Sequence, residues 1–189
     1  MKKLVLGWIV LSMLILISCS GNEHYVPKPS TYLSLYLPER NYEVYKDACG
    51  YTYNKPEYFN VKTAGNSICN RDIELTDLNG TIHLSRIDMD TTLAAYVNYT
   101  IDKIGEHKVM ATAIYDSVII RPDAKVYGTF FELQGNVASP LQFYLTDSTD
   151  RFISGMVFFN SRPNYDSLKP VLNFVKKDIL ELMNTLEWD

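Results

Sequence analysis

The chain has 189 residues, a formal net charge of −4 at neutral pH and 47% hydrophobic residues. This length suffices for a single domain with a sizeable core. The acidic balance argues against nucleic acid or anionic lipid as the main partner, because both carry negative charge themselves.

The N-terminal residues predict an export signal that ends at a lipid-attachment site. Two lysines precede an apolar run that is too short to span a bilayer, a pattern typical of secretory signals. The run ends in the sequence LISC, residues 16–19, which resembles the lipobox of bacterial lipoproteins. The resemblance implies that residues 1–18 are a lipoprotein signal peptide and that Cys19 carries the lipid (palmitate or a related acyl chain).

The residues after Cys19 predict a tether and then one domain. Residues 19–30 are polar, and Pro27 and Pro29 favour an extended chain. A multiply acylated cysteine holds a protein on a membrane without a spanning helix. We therefore expect residues 19–30 to be a lipid-anchored tether and residues 31–189 to be a single α+β domain.

Two further cysteines, Cys49 and Cys69, belong to an exported chain, in which disulfide bonds persist. A bond between them would close a loop of about 20 residues and contribute roughly 3 kcal/mol to stability. The spacing alone leaves open whether they form a disulfide or remain free thiols. No Cys-x-x-Cys or histidine pair has the spacing of metal ligands, so we expect neither a metal nor a cofactor.

The first half of the domain predicts mixed elements. Residues 32–39 alternate in polarity like a strand, whereas residues 40–70 predict loops and at most short strands. Asn79-Gly80 lies between two alternating runs and predicts a β-hairpin over 73–87. A change to helical period predicts an amphipathic helix over 91–108, capped by Asp90 or Thr91 and with one apolar stripe: Leu93, Tyr96, Val97, Ile101 and Ile104.

The second half predicts four strands and a closing helix. The strands are expected at 112–120, 125–134, 141–147 and 151–160. A stripe at spacings of three and four then predicts a helix capped by Asp166 or Ser167: Leu168, Leu172, Val175, Ile179, Leu182 and Leu186. This order predicts an α+β fold in which two helices pack on an antiparallel sheet, and it resembles the PsbP/Mog1-type sandwich.

One motif offers an enzymatic interpretation. Asp88-x-Asp90-x-Thr92 matches the DxDxT motif of haloacid-dehalogenase-type phosphatases, whose first aspartate attacks phosphorus at the end of a buried parallel strand. Here the preceding strand alternates polar and apolar residues and belongs to a hairpin, which suits an antiparallel sheet with one polar face. The residue pattern therefore favours helix capping over catalysis.

Two long stretches, 126–160 and 163–188, together with the segments YVPKPSTYLSLYLPE (25–39) and TIHLSR (81–86), resemble the gliding motility-associated lipoprotein GldD family of Bacteroidota. The resemblance implies an envelope lipoprotein required for gliding, alongside the machinery linked to type 9 secretion. The resemblance implies no catalytic residues in this chain.

The residues most specific to this resemblance allow two interpretations. GNVASP, residues 135–140, suits a tight connection into the strand that follows, whose polar face carries every second residue. Either this is a well-specified turn and an ordinary strand, or it is a docking face for a partner. The candidate partner-binding residues are Asn136, Ser139, Gln142, Tyr144, Thr146 and Asp147.

The sequence thus predicts a non-enzymatic interaction module held in the cell envelope by its lipid. Its expected partners are other envelope proteins of the gliding and secretion apparatus, and it is expected to face the periplasm. Whether the inner or the outer membrane holds the anchor stays open. The alternative is an envelope enzyme or a lipoprotein that binds a small ligand or a glycan, which would require a deep pocket with convergent polar groups.

Overall fold

The computed structural model describes residues 36–65 and 67–189. The predicted signal peptide, Cys19 and the predicted tether lie outside these residues. The elements, in chain order, are β1 (Tyr42–Asp47), β2 (Tyr51–Pro56), β3 (Asn60–Thr63), β4 (Asn70–Leu75), β5 (Gly80–Asp88), α1 (Leu93–Glu106), β6 (Ala111–Arg121), β7 (Val126–Gly135), β8 (Leu141–Thr146), β9 (Arg151–Phe159), α2 (Tyr165–Thr185) and β10 (Glu187–Trp188).

The strands form two antiparallel sheets. Seven of them make the large sheet, in the order β3-β4-β5-β9-β8-β7-β6, and the other three make a small sheet in the order β1-β2-β10. Short turns join β6 to β7 and β8 to β9, as expected for alternating segments that pair with their sequence neighbours. Strand β9 joins the two halves of the large sheet, since it pairs with β5 on one side and β8 on the other.

The inner face of the large sheet, defined as the face that α2 and the small sheet cover, contains the main core. Every second residue of β8 points into this core, and α2 supplies its apolar stripe from above. Eight residues of α2 are buried. The small sheet adds the fully buried rings of Tyr51 and Tyr53.

The opposite, outer face is crossed by α1. Tyr96 of α1 lies 5.5 Å from the ring of Phe152 on β9. Near the other end of the helix, Ile104 packs with Leu133 and Val137 in a small separate cluster. Ile104 is the one buried residue of α1, all of whose residues are described.

A buried ion pair and a disulfide bond join the small sheet to the large one. Arg71 of β4 donates two hydrogen bonds to the carboxylate of Asp47 at the end of β1, with N–O distances of 2.7 and 2.8 Å. Cys49 and Cys69 form a disulfide with an S–S distance of 2.00 Å. Both links tie the β1–β2 turn to the segment that enters β4.

The α+β class is confirmed, and so are the four strands over 111–159 and the hairpin of β4 and β5. The hairpin turn differs from the expected two-residue form, because residues 76–78 make a 3₁₀ turn and Asn79 takes the left-handed conformation with φ of 50°. Residues 36–39, expected as part of a strand, have no strand structure, and 40–70 contains more strand than expected.

The expected helix caps were wrong. Thr92 occupies the N-cap of α1 without a side-chain hydrogen bond, and Asp90 instead accepts the hydroxyl of Tyr96. Asn164, one residue before α2, accepts the backbone N–H of Ser167. Ile101 lies on the exposed side of α1 rather than in its apolar stripe.

No helix in the described part of the chain is long and apolar enough to cross a membrane.

Candidate functional site

The polar residues of β8 lie on the outer face in the middle of the large sheet. Gln142 and Thr146 are only 3% and 2% exposed. The Gln142 amide donates to the carbonyl of Ser139 at 3.1 Å. The Tyr144 ring stacks on Phe152 at 5.4 Å, the ring that Tyr96 of α1 approaches from above. These side chains form a buried polar and aromatic layer instead of an open surface.

The connection before β8 is likewise bonded inward. The side-chain oxygen of Asn136 accepts the backbone N–H of Tyr165 at the start of α2, at 3.1 Å. Ser139 is fully buried, and its hydroxyl has no hydrogen-bond partner among the described residues. Gly135 has φ of 114°, and a Cβ there would lie 2.5 Å from the carbonyl oxygen of Met110. This position therefore requires glycine, both for its conformation and for the close approach.

Asp147 organises the turn between β8 and β9. Its Oδ1 atom accepts three backbone N–H groups, those of Thr149, Asp150 and Arg151, at 2.9 to 3.1 Å. Burial raises the pKa of this carboxyl, but the backbone donors outweigh burial and hold the pKa below its usual range. Ser148, in the same turn, has φ of 67°, and its N–H donates to the Thr146 hydroxyl at 3.0 Å.

A groove of about 1050 Å³ lies where the β6–β7 turn, the β8–β9 turn and β10 meet. Its lining includes charges of both signs: Arg121, Lys125, Arg151, Asp123, Asp147, Asp150, Glu187 and Asp189. Several of its polar groups are already bonded within the chain. The Arg121 guanidinium donates to the carbonyl of Leu186 at 2.6 Å, and the Trp188 indole N–H donates to the carbonyl of Lys125 at 3.1 Å.

Neither a metal-binding group nor the phosphatase-type setting of the DxDxT motif occurs in the described residues. Within 36–65 and 67–189, no group of three or more His, Cys, Asp or Glu side chains is arranged to hold a metal ion. Asp88 and Asp90, the acids of the DxDxT pattern, lie at the end of an antiparallel strand and in the loop that follows it. Asp90 is engaged by Tyr96, as described above.

The edge of the large sheet at β6 is the most open feature of the described residues. This strand has eleven residues, and no other strand of the described chain pairs with its outer side. Val118 and Ile120 on it are 62% and 66% exposed. A long strand with apolar side chains and unpaired backbone groups can bind a further strand.

The hydrogen bonding of β7 shows which residues of β6 face outward. Leu133 of β7 donates its N–H to Pro140 on the β8 side at 2.8 Å. In an antiparallel sheet the N–H and C=O groups of one residue point to the same neighbouring strand. Leu133 therefore forms no backbone hydrogen bond with β6. Ile114, directly opposite Leu133, must therefore point its N–H and C=O away from β7. By alternation, the outward residues of β6 are Ile114, Asp116, Val118 and Ile120.

Further apolar side chains are exposed between α1 and β6. Tyr99 and Ile101 lie on the solvent side of α1, and Val109 and Met110 lie in the turn before β6, where Val109 is 90% exposed. We call residues 99–120 the α1–β6 segment. It contains half of the large hydrophobic side chains that are exposed in the described chain, so its exposure is a feature of this region and not of the surface in general.

Sequence reasoning located β6 but did not identify it as an edge. The signal that could have helped is the apolar run Val118-Ile119-Ile120 in a strand that contains no lysine and no proline. The six predicted partner-binding residues, by contrast, are brought into one region by the structure, but mostly below its surface.

The family model described as gliding motility lipoprotein GldD matches residues 22–188, which includes nearly all the described residues. A comparison with curated proteins finds no match.

Proposed function

The chain belongs to the gliding motility lipoprotein GldD family, and from that premise we propose that it is an accessory component of the gliding and type 9 secretion-associated machinery that acts by binding other envelope proteins. Membership makes it a gliding motility-associated lipoprotein of the cell envelope. The mode of action is the proposal.

The anchor is part of this proposal. Cys19 would carry the lipid, residues 19–30 would hold the domain close to the membrane, and the domain would face the periplasm. Mass spectrometry of the protein purified from its own membranes should find an acylated Cys19 as the first residue. An unmodified amino terminus would contradict the anchor without bearing on the folded domain.

The observation that carries the proposal is the exposed apolar surface of the α1–β6 segment. Exposed apolar groups of this kind mark sites of protein association. The main core lies on the other side of the sheet, so a partner could cover this segment without disturbing it. The open edge of β6 adds backbone groups that no other strand of the described residues pairs with.

The partner-binding role expected of Asn136, Ser139, Gln142, Tyr144, Thr146 and Asp147 stays a proposal, and their burial directs it to a supporting role. Among them, Tyr144 stacks on Phe152, the ring against which Tyr96 of α1 packs, whereas Asn136 is exposed and bonds the start of α2. They would then affect binding through the position of α1, since Gln142 and Thr146 have almost no surface to offer a partner.

The test is crosslinking followed by pulldown of the full-length tagged lipoprotein from its native membranes. Replacing Ile101 and Val109 together by glutamate places two charges on the proposed surface and should reduce recovery of the specific partner at least about tenfold. Val44→Glu is the matched control, because Val44 is also an exposed apolar side chain but lies on β1. Equal recovery of every partner by both variants would overturn the binding role of the segment.

A second candidate function, binding of a small ligand or glycan, is favoured by the groove at Trp188. Beyond residue 18 the sequence contains only this tryptophan, so its fluorescence in the isolated domain reports on the groove alone. Titration with soluble cell-wall glycan fragments would show a saturable change if the groove binds them. An unchanged spectrum across the titration would remove this candidate.

A further inference from the structure

We propose that the open edge of β6 binds an extended segment of another envelope protein as an eighth strand of the large sheet, and that this segment places a lysine or arginine opposite Asp116. The proposal rests on the function proposed above and specifies how the partner binds.

The backbone of β6 is ready for strand addition. Four successive outward positions, Ile114 to Ile120, present both an N–H and a C=O group along one line. A residue of an added strand opposite each of these positions could donate one hydrogen bond to its C=O and accept one from its N–H. The irregular pairing of β6 with β7 lies between Ala111 and Ala113, so the outward positions form a regular strand.

The usual protections of a strand edge are missing here. Natural sheets shorten their edge strands, place lysine or proline in them, bulge them or cover them. The described residues show none of these over 114–120, where the single charge is that of Asp116. The side chains at the outward positions project to the outer face, where Val118 and Ile120 are largely exposed, as given above. A partner strand with apolar residues beside these two would remove their apolar surface from water.

Asp116 defines the chemistry of the partner at the centre of the edge. It is exposed, and none of the salt bridges among the described residues includes it. Opposite charges directly across a strand pair stabilise the pair, and like charges destabilise it. A basic residue in the added strand is therefore the complementary choice, and the net negative charge of the chain favours it as well.

A second copy of this chain fits the edge less well. In a symmetric antiparallel pair of β6 strands, outward residues face only outward residues. The basic residue of β6, Arg121, has its backbone toward β7 and so never lies opposite Asp116. In every register that pairs three or more outward positions, Asp116 would face an apolar residue or the Asp116 of the other copy. The charge pattern thus disfavours pairing with the β6 strand of a second copy.

The experiment uses proline to separate the two sides of one strand. Val118→Pro removes an outward N–H while the ladder to β7 stays complete, so the domain should keep its Tm within a few degrees. Recovery of the partner should fall at least about tenfold, because the ring also blocks the approach of the added strand. Ser117→Pro is the matched control, since it removes an N–H that faces β7, and it should lower the Tm instead by about 5 °C or more.

Three further variants keep the test decisive if Val118→Pro does not fold. Val118→Lys retains the backbone N–H and adds the kind of charge that blocks edge pairing, and it should also reduce recovery. Asp116→Lys inverts the central charge and should weaken recovery of a basic segment, whereas Asp116→Asn should weaken it less. Unchanged recovery with folded Val118→Pro and Val118→Lys would overturn the proposal.

Photocrosslinking in the native host tests the register directly. A photoreactive residue is placed at position 118 or 120 of the full-length lipoprotein, and at position 62 on the opposite sheet edge as the control. Strand addition predicts that the adducts from 118 and 120 map to two positions of one partner segment, two residues apart. Adducts on the β6 strand of a second copy, or adducts scattered over a partner, would contradict it.

The outcomes separate this inference from the function on which it rests. If the partner is still recovered and depends on Ile101 and Val109 but not on β6, strand addition is wrong and the interaction role stands. If no specific partner depends on either region, both proposals fail.

Discussion

α2 buries eight of its residues against the inner face, whereas α1, a helix whose residues are all described, buries Ile104 alone against the outer face. The two helices lie across the same sheet, yet only one of them is built into the main core. Burial of apolar side chains is the main favourable contribution to folding. The inner layer therefore contributes most of the stability of the domain, and the contacts of α1 with the outer layer contribute less.

The two edges of the large sheet differ in the same direction. β3 has four residues and includes Lys62, which pairs with Glu74 on the next strand. β6 has eleven residues and carries exposed valine and isoleucine. Because the fold protects the edge at β3, the open edge at β6 does not reflect a general lack of protection against aggregation. The strand addition proposed above would give the open edge at β6 a role that the protected edge at β3 does not have.

The largest effect is expected when the buried ion pair of the inner layer is broken. Asp47→Ala leaves the Arg71 guanidinium buried at 6% exposure without its carboxylate. Such a loss costs about 3–5 kcal/mol, because an uncompensated charge remains in the interior. Urea unfolding monitored by circular dichroism measures it. Lys62→Ala, which breaks an exposed pair, is the control and should cost less than about 1 kcal/mol.

A pair of truncations compares the two helices directly. Leu182 of α2 is fully buried in the main core, and Leu182→Ala should cost about 2–5 kcal/mol through lost burial and the remaining cavity. Ile104→Ala acts on the small outer cluster, where the surroundings can collapse, and should cost about 1–2 kcal/mol. Equal losses of unfolding free energy would show that the outer layer is as strongly packed as the inner one.

The repeating patterns of the second half made its elements predictable from sequence. Alternation located β6 to β9 to within a residue or two, and the helical period located α1 and α2, because burial on one face imposes these periods. The strands of the first half were harder to predict from sequence. The core residues Tyr51 and Tyr53 are tyrosines between polar residues, and such a sequence is also typical of a loop. Their strand pairing depends on packing against α2, which local pattern does not reveal.

The sequence predicted on which face of the sheet the candidate residues of β8 lie, but not how exposed their side chains are. Alternation correctly assigned Gln142, Tyr144 and Thr146 to the face away from the main core. It could not show that α1 crosses this face, because helix placement depends on contacts far apart in the sequence. For the same reason the order of strands, which makes β6 an edge, could not be read from a list of strands alone.

Loss of the disulfide should lower stability and leave partner binding unchanged. Replacing Cys49 and Cys69 together by serine removes a link that closes a loop in the unfolded chain and should cost about 3 kcal/mol. Both residues lie on the inner side of the domain, away from the α1–β6 segment in sequence and in sheet order. Urea unfolding measures the stability, and pulldown of the folded variant measures binding. A partner lost from a variant that remains folded would mean that the inner layer controls the outer surface.

The smallest effect concerns acid stability at the turn that Asp147 organises. The pKa of this carboxyl lies below its usual range in the folded protein because backbone N–H groups of the turn stabilise the charged form. Its contribution to stability is therefore complete above about pH 4, the ordinary aspartate pKa, and is lost as the pH falls through the lower folded-state pKa.

Asp147→Asn keeps an acceptor oxygen but removes the charge, so it should lower the unfolding free energy by about 1 kcal/mol at neutral pH. The unfolding free energy of this variant should also fall less steeply than that of the parent protein between about pH 4 and pH 2. Parallel pH profiles for the parent protein and Asp147→Asn would mean that the turn is held by its backbone alone.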